Sequence, residues 1–376
     1  MKHVKTDIGK NVIILGGCGK LGYEVAHLLL LSTNIRLTIC GRKKHEIKRV
    51  AKELNILFPK NRVTPRMADI SDFDSLTQTL QGHDAAIVCT SGSKHTENII
   101  GAALANKVDC IDARYPQKAV HKIKSFANSI EKAGIRFVLQ AGHLPGLPSS
   151  LLRYANQRFD SLKRVVLATA IQTPSCNSLG AAKEMVEIIQ DHKGTIYHDG
   201  QWKKTSLKDT EKIDFDPPFG KRTCFPVHLE EMSGLPEQFS VEKTGVYVSG
   251  MNKVVDYLLI PFIMASSKIK GSVYFHTFGR ALMWSINLFS SPPFGAVFKM
   301  DAEGVNKQGK PETIKLTVQH DNSYFFAASA IVSQLLQFFE HSTAKIRPGL
   351  WFMGHLVDPE RMLNDMEKFG VKISRN

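Results

Sequence analysis

The stretch that most constrains this chain is Asn11-Val12-Ile13-Ile14-Leu15-Gly16-Gly17-Cys18-Gly19-Lys20-Leu21-Gly22, followed by Tyr23–Leu31. An apolar, β-branched run enters a Gly-x-Gly-x-x-Gly turn at Gly17, Gly19 and Gly22, and an amphipathic run leaves it. Strand, glycine turn and helix in that order are the context in which this pattern signals dinucleotide binding. Gly17 is expected to permit the tight turn and Gly19 to let backbone N–H groups approach a pyrophosphate. Gly22 is expected to seat the helix close on the strand, with the phosphate charge at the helix N-terminus. Gly17, Cys18, Gly19, Lys20, Leu21 and Gly22 are therefore the first candidate cofactor residues. The rival reading is an empty scaffold of the same shape.

The alternation continues to residue 141. Further strands are predicted at 35–40, 62–67, 85–89, 108–112 and 136–140, with helices at 44–57, 73–81, 97–106 and 117–133 between them. Six strands and five helices make an α/β fold, a doubly wound parallel Rossmann sheet in order 3-2-1-4-5-6. After Ala141-Gly142-His143-Leu144-Pro145-Gly146 the pattern changes to longer runs with hairpin signals, among them Asp199-Gly200. A second, α+β domain on a mostly antiparallel or mixed sheet is expected over 146–322. Residues 1–145 form the dinucleotide domain, joined by C-terminal helices from 323–376, with the cofactor crevice between the domains.

Composition narrows the class. With 376 residues, 43% hydrophobic and 22% charged, the chain is an ordinary globular one of about two domains. The formal charge of +14 is carried by scattered Lys and Arg rather than a basic block, which fits a basic surface around an anionic-ligand site and gives no reason to expect nucleic acid. The apolar runs at 257–265 and 281–289 fall short of the ~20 residues a bilayer span needs. They read as core or a dimer surface in preference to a lipid site. Met1–Asp7 lacks the apolar core of a secretory leader. Six cysteines without a C-x-x-C pair read as reduced core residues of a cytoplasmic protein. His341 and His355 are isolated and no cluster has metal-ligand spacing, so no metal is expected.

At the end of the second strand, NAD-binding versions of this fold carry a carboxylate for the ribose hydroxyls. Here the place reads Cys40-Gly41-Arg42-Lys43-Lys44. Without the carboxylate a 2′-phosphate meets no repulsion, and Arg42 and Lys43 offer a planar fork and a point charge. NADP is favoured over NAD; the rival reading makes these charges the solvated start of the next helix. Ligands bind beyond the C-terminal ends of parallel strands, which selects Thr90-Ser91-Gly92, Asp112-Ala113-Arg114-Tyr115 and Gly142-His143. His143 is the candidate acid/base, set against an ordinary hydrogen-bonded loop histidine. Arg114 either grips a substrate carboxylate or salt-bridges a neighbouring element. Tyr115 lines the site or packs over its loop.

These residues carry a resemblance to the saccharopine dehydrogenase/reductase-like family. It rests on Gly16–Gly22, Cys40-Gly41-Arg42, Ala68-Asp69 after the third strand, Val108–Tyr115 and Ala133–Gly146, and is best over residues 10–150. Asp69 joins the cofactor residues on this ground. The resemblance implies a Rossmann domain, an interrupting substrate and dimerisation domain, and a homodimer. It also implies NADP-dependent hydride transfer at a C–N bond of an amino-acid-like substrate bearing a carboxylate. Two departures stand out: Leu144 where many members carry Asp before Pro-Gly, and Leu179-Gly180 where saccharopine reductases place an arginine. Both argue against saccharopine itself as substrate. The alternative is a nucleotide-binding protein without turnover, a redox sensor or interaction module.

Overall fold

Val12, Ile13, Ile14 and Leu15 have no solvent exposure, because parallel neighbours and covering helices bury both faces of their strand. The computed structural model describes residues 8–206, 209–266, 268–269, 271–341 and 346–376; the opening residues read for a leader, and the side chain of His341, lie outside them. Two compact units divide the chain: residues 1–146 with Ala327–Asp358, and Leu147–Phe326 with Pro359–Asn376.

The first unit is built on strands β1 (Asn11–Leu15), β2 (Arg36–Gly41), β3 (Val63–Met67), β4 (Ala85–Val88), β5 (Asp109–Asp112) and β6 (Arg136–Leu139). Their spatial order is 3-2-1-4-5-6, all parallel, and a seventh strand, Gly349–Phe352, adds in parallel beside β6. Pro65 sits in β3, which pairs on one side only, so the missing N–H costs no ladder bond to a further strand. Asp72 caps helix Phe73–Leu80 as its position suggests, accepting from the Ser75 N–H at 3.0 Å. The helix expected over 117–133 is instead two, Gln117–Lys124 and Ala127–Lys132. At the break the Ser125 hydroxyl donates to the Lys122 carbonyl at 2.7 Å, competing with the helical ladder.

The second unit carries β7 (Phe159–Gln172), β8 (Thr195–His198), β9 (Gln201–Lys204), β10 (Glu211–Asp214), β11 (Lys221–Val227), β12 (Lys243–Ser249), β13 (Gly295–Asn306) and β14 (Pro311–His320). β7 runs through the middle, parallel to β12 and antiparallel to β13, so the sheet is mixed. β8 and β9 form a hairpin with both Asp199 and Gly200 at positive φ, the type I′ geometry. The C-terminal return to the first unit is shorter than the 323–376 expected. Residues 359–376 belong to the second unit, where Lys372–Arg375 pairs with β14. The apolar helices are core on one side only. Ile263, Tyr274, Leu282 and Ile286 pack with Ala182 and Val186, while their other faces stand open.

Candidate active site

All the residues read from the sequence as site candidates fall in the first unit, on the segments that follow the parallel strands. The turn after β1 is held to β2: the Gly16 and Gly17 N–H groups both donate to the Cys40 carbonyl, at 3.0 and 3.1 Å. The left-handed backbone falls on Gly16, at φ +85°, and not on Gly17, which corrects the expectation for the tight turn. A side chain on Gly16 would lie 2.7 Å from the Cys89 carbonyl oxygen. Gly17 serves close packing, since a Cβ there would press on Ile39 at 3.0 Å. Gly22 is the tightest of the three, its added Cβ falling 2.4 Å from the Gly16 carbonyl oxygen.

Gly19 stands at the N-cap of helix Lys20–Ser32 and brings no side chain to it; the first turn contains no acid. The helix therefore presents backbone donors and its positive dipole end without internal neutralisation, an arrangement suited to a phosphate. Lys20 is exposed, and Cys18 and Leu21 are half-buried beside the turn. Burial raises the Cys18 pKa, so the residue is a neutral thiol that brings no repulsion to an anion.

Beyond β2, Arg42 and Lys43 are exposed, and the Lys43 ammonium meets Glu46 at 3.0 Å. Asp69 follows β3. The Ser71 N–H, at 2.9 Å, holds its carboxyl below the usual range, assisted by the Ser71 hydroxyl and by the nearby charges of Arg42 and His95. Past β4, the Thr90 hydroxyl oxygen is shut off from solvent and has no hydrogen-bond partner among the described residues, while Ser91 is exposed. A buried hydroxyl in that condition costs about 1–3 kcal/mol unless something satisfies it, and it faces the same end of the sheet as the glycine turn. A helix end awaiting an anion, glycines whose side chains would fill the cradle, and an unsatisfied hydroxyl all fit a dinucleotide.

The segment after β5 is organised by a buried ion pair. Arg114 Nε and Nη2 donate to the two oxygens of Asp112 at 2.9 and 2.7 Å, with side chains 1% and 3% exposed. Nη1 donates to the Gly92 carbonyl at 3.0 Å and to the Thr96 hydroxyl at 3.1 Å. Arg114 thus ties the β5 loop to the β4 loop and to the start of helix Thr96–Asn106. Of the two roles considered for it, this geometry displays the structural one. Tyr115 is half-buried, and burial raises its pKa, which keeps the phenol protonated.

After β6 the chain turns through Gln140, at φ +58°, into Gly142. The side-chain amide of Gln334, from helix Ser323–His341, grips Gly142 in both directions: it accepts from the Gly142 N–H at 2.9 Å and donates to its carbonyl at 3.2 Å. Gly146 closes the loop, since a Cβ there would sit 2.3 Å from the Gly142 carbonyl oxygen. His143 projects from this clamped loop. Its Nε2 is shielded from solvent, and burial lowers its pKa to about 4, so the imidazole is neutral at pH 7. Gln334 and Gln140 were not among the residues read from sequence. Among the described residues no three His, Cys, Asp or Glu side chains gather as metal ligands would.

Residues 12–138 match the family model described as the saccharopine dehydrogenase NADP binding domain. In fold the chain is similar to apo histidine-tagged saccharopine dehydrogenase (L-Glu forming) from Saccharomyces cerevisiae, with a TM-score of 0.69 at 15% identity over 98% of this chain and 99% of that one. A mutant meso-dapdh from Clostridium tetani (TM-score 0.48, 13% identity, 94% and 95% of the two chains) aligns more loosely. So does a dehydrogenase from Clostridium difficile (0.47, 6%, 96% and 97%). A search among curated proteins finds no match. Residues 12–138 of the first unit thus match a saccharopine dehydrogenase NADP-binding domain, and the fold is similar to that of a saccharopine dehydrogenase, in agreement with the resemblance read from sequence. The matched domain supports a pyridine nucleotide cofactor.

Proposed function

From that NADP-binding domain and that fold, we propose that the protein is an NADP-dependent oxidoreductase acting at a C–N bond of an amino-acid-like, carboxylate-bearing substrate. The observation that carries the cofactor part is the pairing of two features at one end of the parallel sheet. One is a helix N-terminus with no cap or acid of its own; the other is a β2 end that offers Arg42 and Lys43 where a carboxylate would select NAD. Gly16–Gly22 would hold the pyrophosphate, Arg42 and Lys43 the 2′-phosphate, and Asp69, Thr90 and Ser91 the polar groups between. The nicotinamide, when bound, supplies a site that accepts or gives a hydride.

The chain's own contribution is positional and protic. His143 is neutral at pH 7 and so offers an imidazole lone pair to the proton that an amine must lose as its C–N bond is oxidised. Burial also makes it a weak base, so the role requires the bound substrate and cofactor to raise its proton affinity. Gln334 fixes the loop that carries it. Tyr115, held as a phenol, can donate a hydrogen bond and cannot act as a base at pH 7. Arg114 is a positioning residue, its donors committed to Asp112, Gly92 and Thr96. The substrate carboxylate then needs a cation other than Arg114, and saccharopine remains disfavoured by Leu144 and Leu179-Gly180. The test is NADPH consumption against a matrix of amino acids and 2-oxo acids. The expected result is turnover with at least one amine and keto-acid pair that His143→Gln reduces at least about a hundredfold without weakening NADPH binding. No turnover with any pair, alongside tight NADPH binding, would instead favour a nucleotide-binding protein without turnover.

A further inference from the structure

Among the described residues, eight of the twelve exposed large apolar side chains lie between Tyr257 and Phe289, in the second unit. Helix Ser272–Phe289 buries Tyr274, Leu282 and Ile286 on one face. On the opposite face, at the helical repeat, Val273, Trp284 and Leu288 stand 78%, 56% and 61% exposed. The neighbouring helical stretch through Val255–Leu259 and Ile260–Ala265 exposes Tyr257, Leu258 and Phe262. The Phe262 ring packs against the part-buried Phe278 of the longer helix at 5.7 Å between centroids, which sets the two helices side by side. Monomeric proteins rarely leave so concentrated a set of large apolar side chains uncovered.

The exposed charges of the two helical stretches themselves have one sign. Lys253, Lys268 and Arg280 are exposed there, and residues 251–293 contain one acid, Asp256. That acid is turned inward: it accepts from the Met251 N–H at 2.9 Å, and a Cβ built on Gly250 would lie 2.1 Å from its Oδ2. We infer that this face docks on an anionic lipid bilayer, lying in the interface plane with Tyr257, Leu258, Phe262, Trp284 and Leu288 among the headgroups and the three cations on lipid phosphates. An apolar face rimmed by cations complements that surface in both respects. A second copy of the chain does not. A two-fold interface brings the same three exposed cations together from both sides, and the +14 formal charge of each chain adds to the repulsion. Spanning is a different matter, since no helix among the described residues is long and apolar enough to cross a membrane.

The experiment uses the full chain with vesicles of phosphatidylcholine alone or with one third phosphatidylglycerol. The chain should float with the anionic vesicles at least about tenfold more than with the neutral ones, and high salt should release it. Brominated acyl chains should quench tryptophan emission, and Trp284→Phe should remove that quenching. The double variant Phe262→Ser, Leu288→Ser changes exposed side chains, so it should keep the wild-type melting curve while losing at least about tenfold in flotation. Flotation absent with anionic vesicles, or unaltered in the double variant, overturns the inference. So does a dimer in sedimentation equilibrium that protects Trp284 from aqueous quenchers and dissociates in the double variant, which would assign the face to a second copy.

Discussion

Replacing Arg114 by Met would strand the Asp112 carboxylate, which is 2% exposed, without its two charge-assisted bonds. It would also leave the Gly92 carbonyl and the Thr96 hydroxyl each short of a donor. Breaking one side of a buried pair costs about 3–5 kcal/mol, because the remaining charge must be held without compensation. The two neutral acceptors, the Gly92 carbonyl and the hydroxyl of Thr96, a residue as buried as Asp112, add at most about 1–3 kcal/mol each. Removing both partners should cost less than removing one: Asp112→Leu with Arg114→Met leaves no charge behind, and the coupling should reach about 2 kcal/mol or more. Urea denaturation followed by circular dichroism supplies the free energies. Arg114→Lys separates structure from substrate binding, since it keeps the charge but loses the fork and should lower stability while leaving KM for a carboxylate substrate near wild type. Additive single-variant costs, or an Arg114→Met variant within about 1 kcal/mol of wild type, would refute the reasoning. A large KM effect without loss of stability would place Arg114 on the substrate.

Two further predictions follow from the same end of the sheet. Gly22→Ala puts a methyl 2.4 Å from the Gly16 carbonyl and should cost both stability, about 1–3 kcal/mol, and NADPH affinity, whereas Gly19→Ala, with 3.3 Å available, should keep the melting temperature and lose affinity alone. Equal stability losses in the two variants would contradict the cradle. His143 binds its proton near pH 4 in the folded chain and near 6.5 unfolded, so between those values the unfolded state holds more protons and stability falls as the pH drops. The full difference is about 3 kcal/mol at its upper limit, and the slope of stability against pH from 6.5 to 4 should flatten in His143→Gln. For the same reason the acid limb of kcat/KM, which reports the free enzyme, should lie well below pH 6, and a limb centred at 6.5 would argue against His143 as the base.

The dinucleotide half was legible because its signals are local. Val12–Leu15 is apolar on both faces, the glycine spacing is fixed by close approach, and each strand of the first sheet is flanked by a helix of ordinary length. The failures were of another kind. The left-handed turn residue proved to be Gly16, which lies outside the Gly-x-Gly-x-x-Gly spacing, because the contact that demands a glycine comes from Cys89, just past β4. β10 and β11 carry Glu211, Lys212, Lys221, Arg222 and Pro226, and their short runs become strands only through pairing with each other and with β12. Gln334 reads as a polar interruption in an apolar helix; its partner Gly142 lies 192 positions away. Nothing nearby in the chain announces that contact. Arg114 could be placed at the site but not assigned a role, since its partners at Gly92 and Thr96 are set by the packing of two loops.

The central claim is that this turn holds NADP and that Arg42 does the selecting. Titration calorimetry of the full chain with NADPH and with NADH, repeated on Arg42→Ala, tests it directly. An exposed ion pair to a doubly charged phosphate is worth roughly 1–2 kcal/mol, so the wild type should prefer NADPH by roughly five- to thirtyfold. Arg42→Ala should remove most of that preference while changing NADH binding less than about twofold. A wild type that binds both equally, or a variant that weakens both alike, would contradict it.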